Sequence, residues 1–356
     1  MAFDYSQKLA EIMMLAAQQG ASDIHLSVGK HPTVRIDGNL LPLTNEPVLT
    51  PEMTAGLISA LLTPEQQDRL ISEKEIDFAF SFEDKIRFRV NVYFQRGFLS
   101  AALRLIPYHI RTIEELNLPP ILHEFTKFNQ GFFLVVGPAG HGKTTTLAAL
   151  IDEINHKRMD HIITIEDPIE YTFVQDRALI DQREVGSDTL SFHRALKSVL
   201  RQDPDVIMIG EMRDPESMAI ALTAAETGHL VLSTLHTNSA SQTIDRIIDS
   251  FPANQQGQIR SQLAATLVGI VSERLVPRIR GGRVPACEIM ICNSAIKNLI
   301  REGKIYQIDL IIETSSQEGM ISLNRSLAEL VRRREISLEQ AENYSLNPSE
   351  LRQLLG

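Results

Sequence analysis

Apolar positions in the opening stretch MAFDYSQKLAEIMMLAAQQG recur at Leu9, Ile12, Met13 and Ala16, the spacing of one helix face, and predict an amphipathic helix ending near Gly20. The pattern then changes. DIHLSVG, PTVRIDG, IDFAFSF and KIRFRVNVYF alternate or cluster β-formers between Gly, Pro and Asp breaks, while TPEMTAGLISALLTPEQQDRLI between them reads as helical. Residues 1–106 are therefore expected to form a small α+β domain. In IPYHIRTIEELNLPPIL, Pro107, Pro119 and Pro120 mark a connector over 107–118 leading into a second domain at 119–356.

The second domain opens on GFFLVVG, a short apolar strand, followed by a glycine-rich turn. Leu147, Leu150, Ile151 and Ile154 then mark one buried helix face. HIITIED, DVIMIGE and HLVLSTLHT read as three further apolar strands, separated by helical or polar segments. Strands alternating with helices predict an α/β domain with a mostly parallel sheet covered on both faces. From about Ser239 the remainder reads as largely helical.

Composition adds bounds rather than identity. The 356 residues are 43% hydrophobic and 22% charged, without tryptophan, and are long enough for two domains that each bury a core. Asp4 and Glu11 and the lack of a basic n-region exclude a signal peptide, and no apolar run approaches the length of a membrane span. A net charge of −10 argues against a general nucleic-acid binder. Cys287 and Cys292 are too few for a zinc site or a disulfide framework and are expected as reduced thiols in a cytosolic protein.

The glycine-rich turn carries the chemistry. In GPAGHGKTTT, Gly137, Gly142, Lys143 and Thr144 complete G-x-x-x-x-G-K-[ST] between an expected strand and an expected helix. The segment Gly137, Pro138, Ala139, Gly140, His141, Gly142, Lys143, Thr144 and Thr145 is expected to turn backbone N–H groups and a helix N-terminus toward phosphate. Lys143 would reach the β/γ-phosphates of ATP, and the Thr144 hydroxyl would ligate Mg2+. G-x-G-x-x-G is absent, which excludes a dinucleotide site of that type.

Three more segments bear on the same chemistry. VIMIGEMRD ends an apolar strand with Gly210 and Glu211, where a carboxylate holds metal-bound water or activates the attacking one; a solvated turn acid is the plainer alternative. TIEDPIE clusters Glu166, Asp167 and Glu170 at a strand end, although a helix-capping Asp-Pro would also account for Asp167. TGHLVLSTLHT places His229 and His236 at the two ends of a strand, as phosphate sensors or as buried, satisfied histidines.

In order and spacing, these motifs resemble the secretion ATPase superfamily of type II secretion and type IV pili, over nearly the whole chain. AIKNLIREGK, from Ala295 to Lys304, is similar to the AIRNLIRE signature of the PilT-type pilus-retraction branch. Extension and type II secretion ATPases typically carry a longer N-terminal region and a four-cysteine zinc site, both missing here.

The resemblance implies a PAS-like N-terminal domain and a RecA-like ATPase domain assembled as a homohexameric ring. It also implies ATP with Mg2+, an inner-membrane pilus platform protein as partner and a place at the cytoplasmic face of the inner membrane. Glu166, Asp167 and Glu170 match the family's Asp box, Glu211 its Walker B glutamate, and His229 and His236 its His box. Arg89 and Arg104 best match arginines that the N-terminal domain delivers to phosphate; solvated strand arginines are the alternative. Glu211 would order metal-bound water, Glu170 would help position or deprotonate the attacking one, and His229 would sense the γ-phosphate. An extension or secretion ATPase, an accessory retraction protein, or a nucleotide-gated scaffold without turnover are the competing readings. His141 and Ala139 depart from the family's usual Ser and Thr, and His141 is expected to make nucleotide affinity pH-sensitive.

Overall fold

Helix α1 (Tyr5–Gln18) starts where Asp4 accepts a hydrogen bond from the Gln7 N–H, and it buries Leu9, Ile12, Met13 and Ala16 as the periodicity predicts. The computed structural model describes residues 4–36, 38–82, 86–106 and 109–356. Residues 107–108, where the expected connector begins, and Lys85 of one expected strand lie outside them. One compact unit comprises Met1–His109 with Glu170–Thr172, and the other comprises Ile110–Ile169 with Phe173–Gly356.

In the first unit α1 precedes β1 (Asp23–Leu26), β2 (Thr33–Ile36) and β3 (Asn39–Pro42), then α2 (Pro51–Ser59) and α3 (Pro64–Glu73). Strands β4 (Glu75–Phe82), β5 (Ile86–Gln95) and β6 (Phe98–Ile106) complete an antiparallel sheet in the order β3-β2-β1-β6-β5-β4. The helical stretch expected over 50–71 is two helices. Thr63 caps the second by accepting from Gln66 N–H, with Pro64 at its first position.

Strand β6 went unread because FLSAALRLI mixes Ala, Ser and Arg with its apolar residues; pairing with β1 and β5 on its two sides supplies what propensity does not. Phe88, Val90, Val92, Leu103 and Ile24 line the apolar core of this unit. The opposite sheet face carries an in-register row of Arg89, Arg104, Asp23 and Arg35.

The second unit contains α4 (Leu122–Phe125), β7 (Gly131–Val136), α5 (Lys143–Lys157), β8 (His161–Glu166) and β9 (Leu179–Glu184). Next come α6 (Phe192–Val199), β10 (Val206–Ile209), α7 (Pro215–Glu226), β11 (Leu230–Leu235), α8 (Ala240–Asp249) and α9 (Ala253–Thr266). Strands β12 (Leu267–Pro277) and β13 (Arg283–Ile291) are followed by α10 (Ser294–Glu302), α11 (Ile308–Thr314), α12 (Leu323–Arg332), α13 (Leu338–Tyr344) and α14 (Pro348–Leu355).

The seven-stranded sheet runs β13-β12-β7-β11-β10-β8-β9, parallel except for the β12–β13 pair. Every residue of β7, β10 and β11 is buried, because helices cover both faces and leave no side for polar alternation. This is the α/β architecture expected, preceded by the sheet domain.

The segment after Ser239 is largely helical, as expected, but it also holds β12 and β13, a long antiparallel hairpin turned at Gly281–Gly282 that the pattern did not announce. The basic stretch ERLVPRIRGGR is the end of β12 and this turn. The charges of Glu273 and Arg274 inside an apolar run hid the strand. Helices α12–α14 pack on the outer hairpin through Val276, Val284, Leu323, Leu327 and Leu351. Cys287 and Cys292 are buried free thiols, and burial pushes Cys292 up to about 12. Among the described residues no helix is long and apolar enough to cross a membrane.

Candidate functional site

Because β7, β8, β10 and β11 run parallel, their C-terminal ends share one edge of the sheet. The chain leaving that edge carries Gly137–Thr144, Glu166–Asp167, Glu211 and His236. Ligands of open parallel sheets collect at such an edge.

Helix α5 begins after Gly142, whose φ of 95° is left-handed, and no side chain caps it. Its first-turn N–H groups are therefore offered to an anion. A Cβ on Gly142 would stand 2.7 Å from Glu273 Oε1, and one on Gly137 would stand 2.4 Å from the Glu273 carbonyl oxygen. Glycine is needed at both places for close approach to β12 as well as for backbone freedom.

Lys143 is buried, and its Nζ donates to the Pro138 carbonyl at 2.9 Å, so the ammonium points back across the loop. Ala139 and Gly140 form the exposed tip, and Thr144 and Thr145 are half-buried in the first helical turn. His141 Nδ1 accepts from the Leu275 N–H at 3.0 Å, fastening the loop to β12. Burial, with Arg274, Lys143 and Arg283 nearby, holds the imidazole below its ordinary 6.5.

Beyond Lys143 the polar groups form a chain. His236 Nδ1 lies 3.4 Å from Lys143 Nζ, and its Nε2 lies 3.7 Å from Glu211 Oε1. Glu211 is in turn gripped by Arg213, whose Nε and Nη2 each approach a carboxylate oxygen at 3.0 Å. That bond raises the Arg213 guanidinium pKa, with a further contribution from Asp167. Glu211, Arg213, His236 and Arg246 border a cleft of about 420 Å³.

The Asp box divides. Glu166 is buried, and its Oε1 accepts from Thr164 Oγ1 at 2.6 Å and Gln182 Nε2 at 3.2 Å. Expected among the catalytic acids, it is instead turned into the sheet and ties β8 to β9. Gly210, just after β10, stands beside it: a Cβ there would meet the Ile165 carbonyl at 3.3 Å. Asp167 is exposed and begins no helix, so the capping alternative does not apply.

His229 also departs from expectation. It precedes β11 while His236 follows it, so it lies at the opposite edge of the sheet from the loop, about 20 Å away along the six residues of the strand. Its Nδ1 contacts the Ala224 carbonyl at 2.9 Å, closing the end of α7. Of the two histidines, His236 is the one beside Lys143 and the loop.

Arg89, Arg104 and Glu170 belong to the first unit. Arg89 and Glu170 are exposed. Arg104 Nε donates to Asp23 Oδ1 at 2.9 Å while its side chain remains 70% exposed, so it could exchange that partner for a phosphate. Burial alone would raise Asp23, but bonds from Ser22 and Arg104 hold it below the usual carboxylate range.

Two residues of the loop's surroundings escaped the sequence reading. Arg213 lay inside the quoted VIMIGEMRD, and its position two residues after the acid was the available signal. Glu273 was hidden in the segment taken as helical.

The family described as "Type II/IV secretion system protein" matches residues 5–302. The type IV pilus retraction ATPase PilT of Pseudomonas aeruginosa is 44% identical over 340 residues, 96% of this chain and 98% of that protein. A twitching motility protein of Neisseria gonorrhoeae is 42% identical over 90% of this chain and 86% of its own. A solved structure of the pilus retraction motor PilT with bound ADP superposes with a TM-score of 0.90 at 48% identity, covering 97% of this chain and 98% of that one. The chain belongs to the type II/IV secretion system protein family, within its PilT-type pilus retraction ATPases.

Proposed function

We infer that this chain hydrolyses ATP to power type IV pilus retraction, working as a homohexameric ring. The observation that carries the reading is the uncapped N-terminus of α5 with buried Lys143, in a chain similar over 96% of its length to a retraction ATPase. A P-loop lysine and converging amides have one general use, which is to hold a polyphosphate.

Lys143 and the loop amides grip the β- and γ-phosphates. Mg2+ is commonly held by one or two protein oxygens together with nucleotide phosphates. Thr144 and Glu211 are the residues that would hold it, and it would supply charge neutralisation at the phosphoryl oxygens. Glu211 must first exchange Arg213 for that role. Glu170 would position the attacking water, Arg89 and Arg104 would close over the γ-phosphate, and His236 would report its loss to Lys143 and Glu211.

Motion follows if the arginines and the loop belong to surfaces that open and close as each site turns over. The same reading gives an inner-membrane pilus platform protein as partner, a cytoplasmic location against that partner, and no nucleic acid. The test is complementation of a piliated strain that lacks its retraction motor. The parent chain should restore twitching, while Lys143→Ala should leave immotile cells with abundant surface pili. Restoration by the variant, or none by the parent, contradicts the reading.

A further inference from the structure

Strand β12 touches the phosphate loop at three successive places. The Glu273 carbonyl lies against Gly137, where a Cβ would come within 2.4 Å of it. The Glu273 carboxyl lies against Gly142, where a Cβ would come within 2.7 Å of Oε1. Two residues further on, the Leu275 N–H holds His141. The loop is thus fastened at its entry, near its tip and at the start of the helix that follows.

Of these contacts the carboxyl is the unusual one. Glu273 is 2% exposed, and its Oε2 accepts a hydrogen bond from Thr146 Oγ1 at 2.7 Å, a side chain facing inward from the first turn of α5. Burying an acid beneath a phosphate site is costly. Burial raises Glu273 to about 7, against the opposing pull of the Thr146 bond and the Lys143 charge. Across the hairpin its partner is Cys287, whose thiol burial pushes up and keeps neutral, so that side offers no countercharge. An apolar residue would fill this space without the penalty, but it could not accept from Thr146.

We propose that Glu273 is a positioning residue of the phosphate loop: braced against Gly142 and held by Thr146, its carboxyl fixes the curvature in which Lys143 and the first-turn amides converge on a polyphosphate. This rests on reading Gly137–Thr144 as the triphosphate seat. Glu273 touches no nucleotide. It acts on affinity by keeping the loop in its binding shape, so that little ordering remains to be done when ATP arrives. Glutamine has the same length and keeps an oxygen for the Thr146 hydroxyl; alanine leaves a void below Gly142 and an unpartnered hydroxyl.

The test compares the full chain with Glu273→Gln, Glu273→Ala and Thr146→Val, using Lys143→Ala as the reference for a lost site. KM and kcat for ATP with Mg2+ are measured alongside binding of labelled ATP and thermal melting. Glu273→Ala should raise KM about tenfold while kcat at saturation stays within about threefold. Glu273→Gln should return KM to within about threefold of the parent, and Thr146→Val should fall between the two. A folded Glu273→Ala with the parent's KM overturns the proposal. So does a Glu273→Gln as weak as alanine, since shape would then not be what matters. If Glu273→Ala does not fold, Thr146→Val decides, and an unchanged KM there overturns it. A parent chain that binds ATP no better than Lys143→Ala would instead refute the triphosphate seat itself.

Discussion

Glu273 carries a pH consequence of its own. Its ordinary value is 4.5 and burial lifts it to about 7 in the folded chain. Between those values the folded state keeps a proton that the unfolded state has released, so stability falls as pH rises from about 4.5 to about 7 and then levels. The cost is about 3 kcal/mol for a shift of that size. Glu288, also raised to about 7 by burial, adds a second term of the same sign. Glu273→Gln removes the first term only. Melting temperatures from pH 5 to 8 should therefore decline less in Glu273→Gln than in the parent, and parallel curves would show that the buried acid does not titrate there. His141 is tied to Leu275, and burial with Arg274, Lys143 and Arg283 nearby holds its imidazole below its ordinary value.

At the scale of elements, what the sequence disclosed depended on whether local pattern and tertiary role agreed. Strands β7, β10 and β11 are buried throughout and read as uninterrupted apolar runs, so they and the edge they share were legible. So was the phosphate loop, since its glycines, lysine and threonine are fixed by chemistry at set spacing. The β12–β13 hairpin was not, because Glu273 and Glu288 are buried acids whose partners, Thr146 and the Ala240 N–H, lie 127 and 48 residues away. No local pattern announces such a partner. His229 and His236 read as the two ends of one strand, and that strand puts only His236 beside the loop. The loop's own requirement is testable at Gly142. Alanine there meets both a left-handed φ and the Glu273 carboxyl, a strain of about 1–3 kcal/mol. Gly142→Ala should weaken ATP binding by tenfold or so and lower the melting temperature by several degrees. Parent-like binding would mean that the loop tolerates a side chain at that point.

For the whole molecule, the division of labour follows the two compact units. The second holds the loop, Glu211, Arg213 and His236 in one framework, while Arg89, Arg104 and Glu170 belong to the first. In the second unit Glu211 is held by a bidentate pair with Arg213. The central claim is that Lys143 and the loop hold ATP for cleavage, and phosphate release by the purified chain in Mg2+ and ATP addresses it most directly. The account expects steady release by the parent and a loss of about a hundredfold or more in Lys143→Ala. Equal release by both proteins, or none from a folded parent at saturating ATP, would contradict it.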